Sequence, residues 1–306
     1  MAKNTEFEFI MISAMFENGG NVTQRSLDGH PELHVYPFES QLGNSVFVDH
    51  LSSLFPFRYR WPEFPANGNP ADDYELFFDE EVKARLRTPA RSKFKDADIK
   101  LDESERKKIF LKLLKDKPRT RANIIEAFFR STFDAWKNFN RSGKERIYVG
   151  YSPIIGIDGD RIIADFPHGH VIHVVRNPYS AYAETRYRPY PWSIHRYTVG
   201  WNLVQHMALM YAESFPNNFH ILRYEDLIKD TKKTMTDLCK KIGINFSDKL
   251  LYPSWNGLRM KEVYPWGTIP FPTEEENRQR LNELSTEEKS RIRTLSKTML
   301  KALAYE

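Results

Sequence analysis

Arg176-Asn177-Pro178 directly follows an apolar run, Val171-Ile172-His173-Val174-Val175, and leads into a helix-permissive stretch. Short, mostly β-branched runs of this kind read as buried strands. Pro178 suits the first turn of a helix, where its missing N–H costs nothing. Arg176 is thereby expected at the C-terminal edge of a parallel sheet, beside a helix N-terminus. Open α/β folds bind ligands at that place, and a guanidinium and a helix N-terminus both favour an anion. The alternative partner for this Arg is a carboxylate at the strand end.

A second anion-binding arrangement lies near the start of the chain. Residues 8–14 read as a strand, Glu17-Asn18-Gly19-Gly20-Asn21 as a tight polar turn, and the residues before Gly29-His30-Pro31 as a short helix. Strand, tight loop and helix together present backbone N–H groups to a phosphate. Gly19 and Gly20 allow the backbone to approach an anion closely. Asn18 and Asn21 can donate side-chain hydrogen bonds, Val22 continues the first turn, and Arg25 follows about one helical turn on.

The elements that must position these residues follow from periodicity. Residues 55–80, rich in Pro and aromatics, read as irregular. Ile109, Phe110, Leu113 and Leu114 mark a helix beyond them, and a stronger one runs over roughly 120–138, with Ile124, Ile125, Phe128, Phe129, Phe133 and Trp136 at helical spacing. Ile147–Gly150 and Phe219–Leu222 read as further strands, separated by a helical region over 179–215 that breaks near Pro189 and Pro191. A helix over 230–242 stops at Gly243. Ser285-Thr286-Glu287-Glu288 is a capping box that opens a last helix marked by Ile292, Leu295, Met299 and Leu303. Strands alternating with helices predict an α/β fold with a parallel sheet flanked by helices. With no clean linker, residues 1–306 are expected to form a single domain with a variable insertion at about 50–120.

Composition narrows the function. The 306 residues carry 45 basic and 41 acidic side chains, a mild excess of +4 that suits anionic ligands without implying nucleic acid. Residues 83–121 hold fifteen basic and six acidic residues, expected to form a solvated surface or a rim that steers an anion. His168, His170 and His173 lack acidic or Cys partners at metal-ligand spacing, so no metal is expected. Cys239 is the single cysteine. No apolar run approaches the ~20 residues a membrane span needs, and Glu6 and Glu8 precede the short apolar start where a signal would carry positive charge. A soluble cytoplasmic protein is expected, with its oligomeric state open.

Taken in order, the pieces resemble the sulfotransferase superfamily, whose members take sulfuryl groups from 3′-phosphoadenosine 5′-phosphosulfate (PAPS). The segments that carry the resemblance are the first strand and loop leading to Leu27-Asp28-Gly29-His30-Pro31-Glu32-Leu33, Phe166-Pro167 with His173-Val174-Val175-Arg176-Asn177-Pro178, Leu222-Arg223-Tyr224-Glu225-Asp226-Leu227, and Asn282-Glu283-Leu284-Ser285 with its trailing helix. They imply a P-loop-like sulfotransferase fold. PAPS is then the cosubstrate, 3′-phosphoadenosine 5′-phosphate (PAP) the product, and a small molecule or carbohydrate the acceptor. By the same resemblance Arg176 holds the 3′-phosphate, and Arg259 and Lys261 lie in a late loop, Asn256 to Lys261, that completes the nucleotide site. Three positions depart from the family's pattern. Glu17-Asn18-Gly19-Gly20-Asn21 stands where Arg/Lys-Ser-Gly-Thr-Thr is usual, Tyr151-Ser152-Pro153 where Lys-Thr-Pro often stands, and Glu184 where a phosphate-binding Ser is expected. Either cations reach the loop from elsewhere, or the chain is a catalytically weakened nucleotide-binding relative. Ser180 or Thr185 is then expected to replace the missing Ser, or Glu184 to pair with a cation such as Arg188.

Sulfuryl transfer needs a base for the acceptor proton and donors for the charge that spreads over the oxygens. Glu39, just beyond the His-Pro turn in Tyr36-Pro37-Phe38-Glu39-Ser40, is the first candidate base, and Glu17 in the loop is the second. His50 and His195 rank below them. Trp201 and Trp255 are candidates to stack on adenine, with core packing the competing role for Trp201. The acceptor cleft is expected from the aromatic 55–80 segment and from Tyr182 to Trp192.

Overall fold

β-Branched and aromatic runs that are buried on both faces need helices on both sides of a sheet, and the chain builds that arrangement. The computed structural model describes residues 7–46, 48–260 and 272–306. Its first half runs β1 (Glu8–Ala14), α1 (Gly20–Leu27), β2 (Leu33–Val35), α2 (Pro70–Leu76), α3 (Glu80–Arg87), α4 (Glu103–Leu114), α5 (Arg121–Ala135), β3 (Ile147–Tyr151) and α6 (Gly159–Asp165). The second half runs β4 (His170–Val175), α7 (Pro178–Thr185), α8 (Ile194–Ser214), β5 (Phe219–Arg223), α9 (Tyr224–Lys229), α10 (Thr231–Lys241), β6 (Ser254–Trp255), β7 (Leu258–Arg259), α11 (Glu274–Asn282) and α12 (Thr286–Ala302).

The strands β1 to β5 form one sheet in the order β2-β3-β1-β4-β5, and each neighbouring pair is parallel. β1 sits centrally between β3 and β4, so the chain order reverses beside it and a crevice opens at its C-terminal end. Along β1, Phe9 and Met11 join one buried cluster while Ile10, Ile12 and Ala14 join another. That alternation is the period-two pleat, and burying each large aliphatic side chain stabilises by roughly 2 kcal/mol. A third cluster packs Phe16 with residues of α7, α8 and α12. The two short strands β6 and β7 pair antiparallel elsewhere.

Three expectations about elements change. The 55–80 segment is not wholly irregular: α2 forms within it, because Asn69 accepts hydrogen bonds from Ala71 N and Asp72 N and Pro70 fills the first turn. Residues 83–121 are more than a solvated surface, since Arg106 is fully buried against Asp79 at 2.7 Å. In α12 the buried stripe is Ile292, Ser296 and Leu300, whereas Leu295 is 38 % exposed. The Ser285–Glu288 capping box forms, and the break between α7 and α8 falls around Pro189 and Pro191. No helix among the described residues is long and apolar enough to cross a membrane.

Candidate functional site

The loop between β1 and α1 is held from behind by Asn18. Its amide donates to Phe16 O (2.9 Å) and Tyr197 Oη (3.1 Å). Its carbonyl oxygen accepts from Arg176 N (3.0 Å) and Trp201 Nε1 (3.2 Å). Asn18 therefore faces inward and welds the loop to the end of β4 rather than presenting donors to the crevice. Gly19 takes φ of 90°, which a side chain resists, and a Cβ there would meet the Tyr224 ring at 2.4 Å. A Cβ on Gly20 would meet the Tyr151 ring at 2.4 Å. Gly19 caps α1 without a side-chain hydrogen bond, so the N–H groups of the first turn keep their capacity for an anion. Val22 packs into the core and can offer only its backbone.

Arg176 lies where its spacing predicts, just past β4 and against the loop, and it is 3 % exposed. Nε donates to Asn277 Oδ1 on α11 (2.8 Å), and Nη1 to the Glu17 carbonyl (3.0 Å). Nη2 donates to Glu184 Oε1 (3.1 Å), and Glu184 Oε2 sits 2.9 Å from Nη1. The Tyr224 ring covers the guanidinium at 4.8 Å. Protein groups thus enclose Arg176 on every side named here, with Glu184 as a two-pronged partner. Ser180 Oγ donates to the Asn277 carbonyl (2.8 Å), tying α7 to α11. Of the two alternatives for Glu184, the structure shows pairing with a cation, Arg176 and not Arg188, while Ser180 and Thr185 spend their hydroxyls on Asn277 O and Tyr182 O. Arg188 reaches Glu17 at 2.5 Å and stacks on Phe16 and Trp192.

On the other side of the loop lies a pocket of about 500 Å³, into which Glu17, Asn21, Arg25, Glu39, Tyr151 and Arg188 face. Gln24 and Arg25 of α1 shape it by holding the segment after β2. Gln24 Nε2 donates to Tyr36 O and Phe38 O (both 2.8 Å), and Arg25 Nη2 donates to Tyr36 O (3.0 Å). The opposite wall comes from the inserted segment, through Arg58, Tyr59, Glu80, Glu81, Arg91 and Lys93. A buried clamp fixes that wall: Tyr36 Oη donates to Asp79 Oδ1 (2.6 Å), and Arg106 reaches Asp79 Oδ2 (2.7 Å) and Tyr36 Oη (3.3 Å). The clamp brings two carboxylates together. Glu39 N donates to Glu81 Oε2 (2.9 Å), and Lys93 Nζ lies 2.5 Å from Glu81 Oε1. Burial, then the neighbouring Glu81 charge, pushes the Glu39 carboxyl up to about 8, in the range of a working base.

The remaining candidates scatter. Trp201 is fully buried, with Nε1 also donating to Arg176 O (3.1 Å), so it packs in the core. Trp255 is 5 % exposed and stacks on Phe38 at 5.4 Å. Asn256 and Gly257 tie to Asn140 N and Asp28 Oδ2 respectively, and the Arg259 guanidinium lies over Tyr252 at 4.6 Å. Lys261 lies outside the described residues. His50 and His195 are exposed and do not line the pocket. Tyr187 and Tyr190 are 66 % and 86 % exposed and stay out of it too, so Arg188 is what the Tyr182–Trp192 region contributes. The residues missed from sequence are Glu81, Lys93 and Arg58; nothing local in the basic stretch signals that they face Glu39.

A family model described as "Sulfotransferase family" matches residues 63–248. Among solved structures, the sulfotransferase domain of the Synechococcus PCC 7002 olefin synthase aligns at 18% identity over 92% of this chain and 96% of that one, with a TM-score of 0.50. The sulfotransferase domain from the curacin biosynthetic pathway aligns at 16% identity over 92% of this chain and 98% of that one, with a TM-score of 0.52. Curated proteins yield no match.

Proposed function

The chain belongs to the sulfotransferase family, and from that premise we propose that it moves a sulfuryl group from PAPS to a hydroxyl or amine of a small-molecule or carbohydrate acceptor, in the cytoplasm. The observation that carries this reading is the convergence on one pocket of a base and an anion-binding loop. Glu39 lines that pocket, as do Asn21 of the first turn of α1, Arg25 of its last turn and Arg188. These cations answer the missing loop cation: they come from the helix and from the α7–α8 connection.

In the transfer, a bond forms between the acceptor oxygen or nitrogen and sulfur, and the bond from sulfur to the phosphate oxygen breaks. Glu39 takes the acceptor proton, and PAP leaves. Backbone N–H groups at the start of α1, with Arg25 and Arg188, stabilise the charge on the transferring oxygens. The names of the two structural neighbours, a domain of an olefin synthase and one from the curacin biosynthetic pathway, favour a small-molecule acceptor.

The residues fit the donor unevenly. The loop end offers the uncapped N–H groups of α1, and its cation Arg188 must leave Glu17, with which it pairs at 2.5 Å, to meet a phosphosulfate. The 3′-phosphate end fits only if Glu184 yields Arg176, because the two already pair at 2.9 Å. That pairing favours a second reading, a nucleotide-binding relative with weakened catalysis. Incubation with PAPS and a hydroxyl- and amine-bearing acceptor panel, read by mass spectrometry, separates the two. Sulfated product that disappears in Glu39→Gln supports the transferase. PAP binding by calorimetry with no product from any acceptor supports the relative, and neither binding nor product overturns both.

A further inference from the structure

The start of α1 gathers donors that no protein group takes up. Gly19 precedes the helix without a side-chain cap, and the first N–H to bond back is that of Thr23, to Gly19 O (3.0 Å). The N–H groups of Gly20, Asn21 and Val22 therefore have no partner within the helix. One side chain is aimed at the same place. Tyr151, the last residue of β3, lines the pocket and is only 4 % exposed. A Cβ on Gly20 would meet its ring at 2.4 Å and its hydroxyl oxygen at 2.8 Å. That hydroxyl has no hydrogen-bond partner among the described residues.

The backbone fixes this placement. Ser40 N and Ser40 Oγ both donate to Tyr151 O (2.7 and 3.1 Å), and Ser152 N donates to Ile12 O (3.2 Å). Two residues later Ile154 takes φ of 57°, a left-handed conformation that a β-branched residue resists, with its N–H on Ala14 O (2.7 Å). Strain of this kind collects at working sites. The other side-chain donors beside the loop are engaged. Asn18 faces inward, Thr23 Oγ1 donates to Gly19 O (3.1 Å), Arg25 Nη2 donates to Tyr36 O (3.0 Å), and Arg188 pairs with Glu17 at 2.5 Å. Half-buried Asn21 is the one other uncharged donor that lines the pocket from α1 without a named partner.

We propose that the Tyr151 hydroxyl and the Gly20–Val22 N–H groups form one oxyanion site, in which Tyr151 is a catalytic residue that donates a hydrogen bond to the sulfuryl group as it transfers. This rests on the reading of the chain as a sulfotransferase. The hydroxyl keeps its proton throughout. The bonds that change are those from the acceptor atom to sulfur and from sulfur to the phosphate oxygen, and Glu39 takes the acceptor proton. Burial, then the Glu39 and Glu17 charges, hold the phenol protonated well above the ordinary range of Tyr, so it remains a donor beside those carboxylates. A neutral donor needs no ion pair to open, whereas Arg188 has to leave Glu17. Fixed donors in a buried place act most strongly on charge that develops during reaction.

The test is Tyr151→Phe in the full chain, which keeps the ring on Gly20 and deletes only the hydroxyl. Urea unfolding should give the native midpoint, because no hydrogen bond within the protein is lost. Inorganic sulfate is the first probe, followed by the Gly20 amide signal in nitrogen-15 NMR. The signal should shift in the native chain, and sulfate affinity should fall about tenfold in the variant. Calorimetry should then show the variant losing about tenfold in affinity for PAPS and little for PAP, which lacks the sulfuryl group. Equal sulfate affinity in the two chains, or no Gly20 shift in the native chain, overturns the proposal. A variant that loses stability together with sulfate affinity marks the hydroxyl as structural and overturns it too. Equal losses for PAPS and PAP would move the hydroxyl onto the nucleotide's phosphate and overturn the sulfuryl assignment. Tyr151-dependent sulfate binding without PAPS binding would support the anion site and sink the transferase reading, so the two failures are told apart.

Discussion

Two charged regions lie on either side of the β1–α1 loop. Around Arg176, each side chain meets its complement: Glu184 at 2.9 Å, Asn277 at 2.8 Å, and the Glu17 carbonyl at 3.0 Å. Around Glu39, a buried carboxyl lies near a second one, Glu81, whose oxygens are divided between the Glu39 backbone N–H (2.9 Å) and Lys93 Nζ (2.5 Å). Both regions stand at the C-terminal end of the same sheet, and both are dense in charge. The first has spent its interactions on joining α7, α11 and the loop. In the second, burial and then the neighbouring Glu81 charge push the Glu39 carboxyl up to about 8. A buried carboxyl displaced in this way is a candidate working group.

The largest effect should come from Glu39→Gln. Product formation should fall by about 10² to 10⁴-fold, the usual contribution of a general base. The same change should stabilise the fold, for a reason that can be checked by pH. The folded carboxyl holds its proton up to about 8, while the unfolded one releases it near 4.5, the ordinary value for Glu. Over that window the folded state binds more protons, so native stability falls as pH rises. Glu39→Gln removes the penalty, and urea unfolding should show the variant gaining on the native chain by on the order of 3 kcal/mol between pH 5 and pH 8. A gap that does not widen with pH would erase the contrast between the two regions.

Arg176→Ala should act with the opposite sign. Removing one member of a buried, hydrogen-bonded pair costs about 3 kcal/mol, somewhat softened because Glu184 keeps 24 % of its side-chain surface. Urea unfolding measures this directly. The double change Arg176→Met with Glu184→Met should recover about 1 kcal/mol or more of that loss, since no unpaired carboxylate remains. A double variant less stable than Arg176→Ala would mean that Asn277 and the Glu17 carbonyl, rather than Glu184, are the partners that count.

The region around Arg176, a clasp of Glu184, Asn277 and the Glu17 carbonyl on one guanidinium, was more legible in sequence than the pocket, and the reason is range. Arg176 could be placed because strand, Pro178 and sheet edge are consecutive in the chain, and the β1–loop–α1 unit is equally local. Asn69-Pro70 carried a helix start that the surrounding Pro and aromatic density concealed. Glu39 could be named as a candidate from its place past the His-Pro turn, but Glu81, which meets its backbone, lies 42 residues away, behind a buried Tyr36–Asp79–Arg106 clamp that looks in sequence like three unrelated polar residues. Charge counting over residues 83–121 sees a solvated face there, because counting cannot tell which charges meet in the interior. Glu184 illustrates the same limit at shorter range: its eight-residue separation from Arg176 is spanned by a strand end and a helix, so no helical spacing rule announces the pair.

The smallest effect is the one that best sharpens the comparison. Glu184→Ser removes the carboxylate that now occupies Arg176 and leaves a hydroxyl able to donate to an anion. If the clasp is a phosphate site held shut by its own side chain, PAP should bind about tenfold more tightly, a gain of about 1.4 kcal/mol. Calorimetry on the native chain and the variant reads this without any acceptor. The substitution also weakens the tie between α7 and the loop, so a modest drop in stability should accompany the gain in affinity. That pairing of outcomes is informative, because a group retained only for structure would give the drop alone. Unchanged or weaker binding would leave Arg176 as a purely structural tie and move the nucleotide's charge onto Arg25 and Arg188, on the pocket side of the loop.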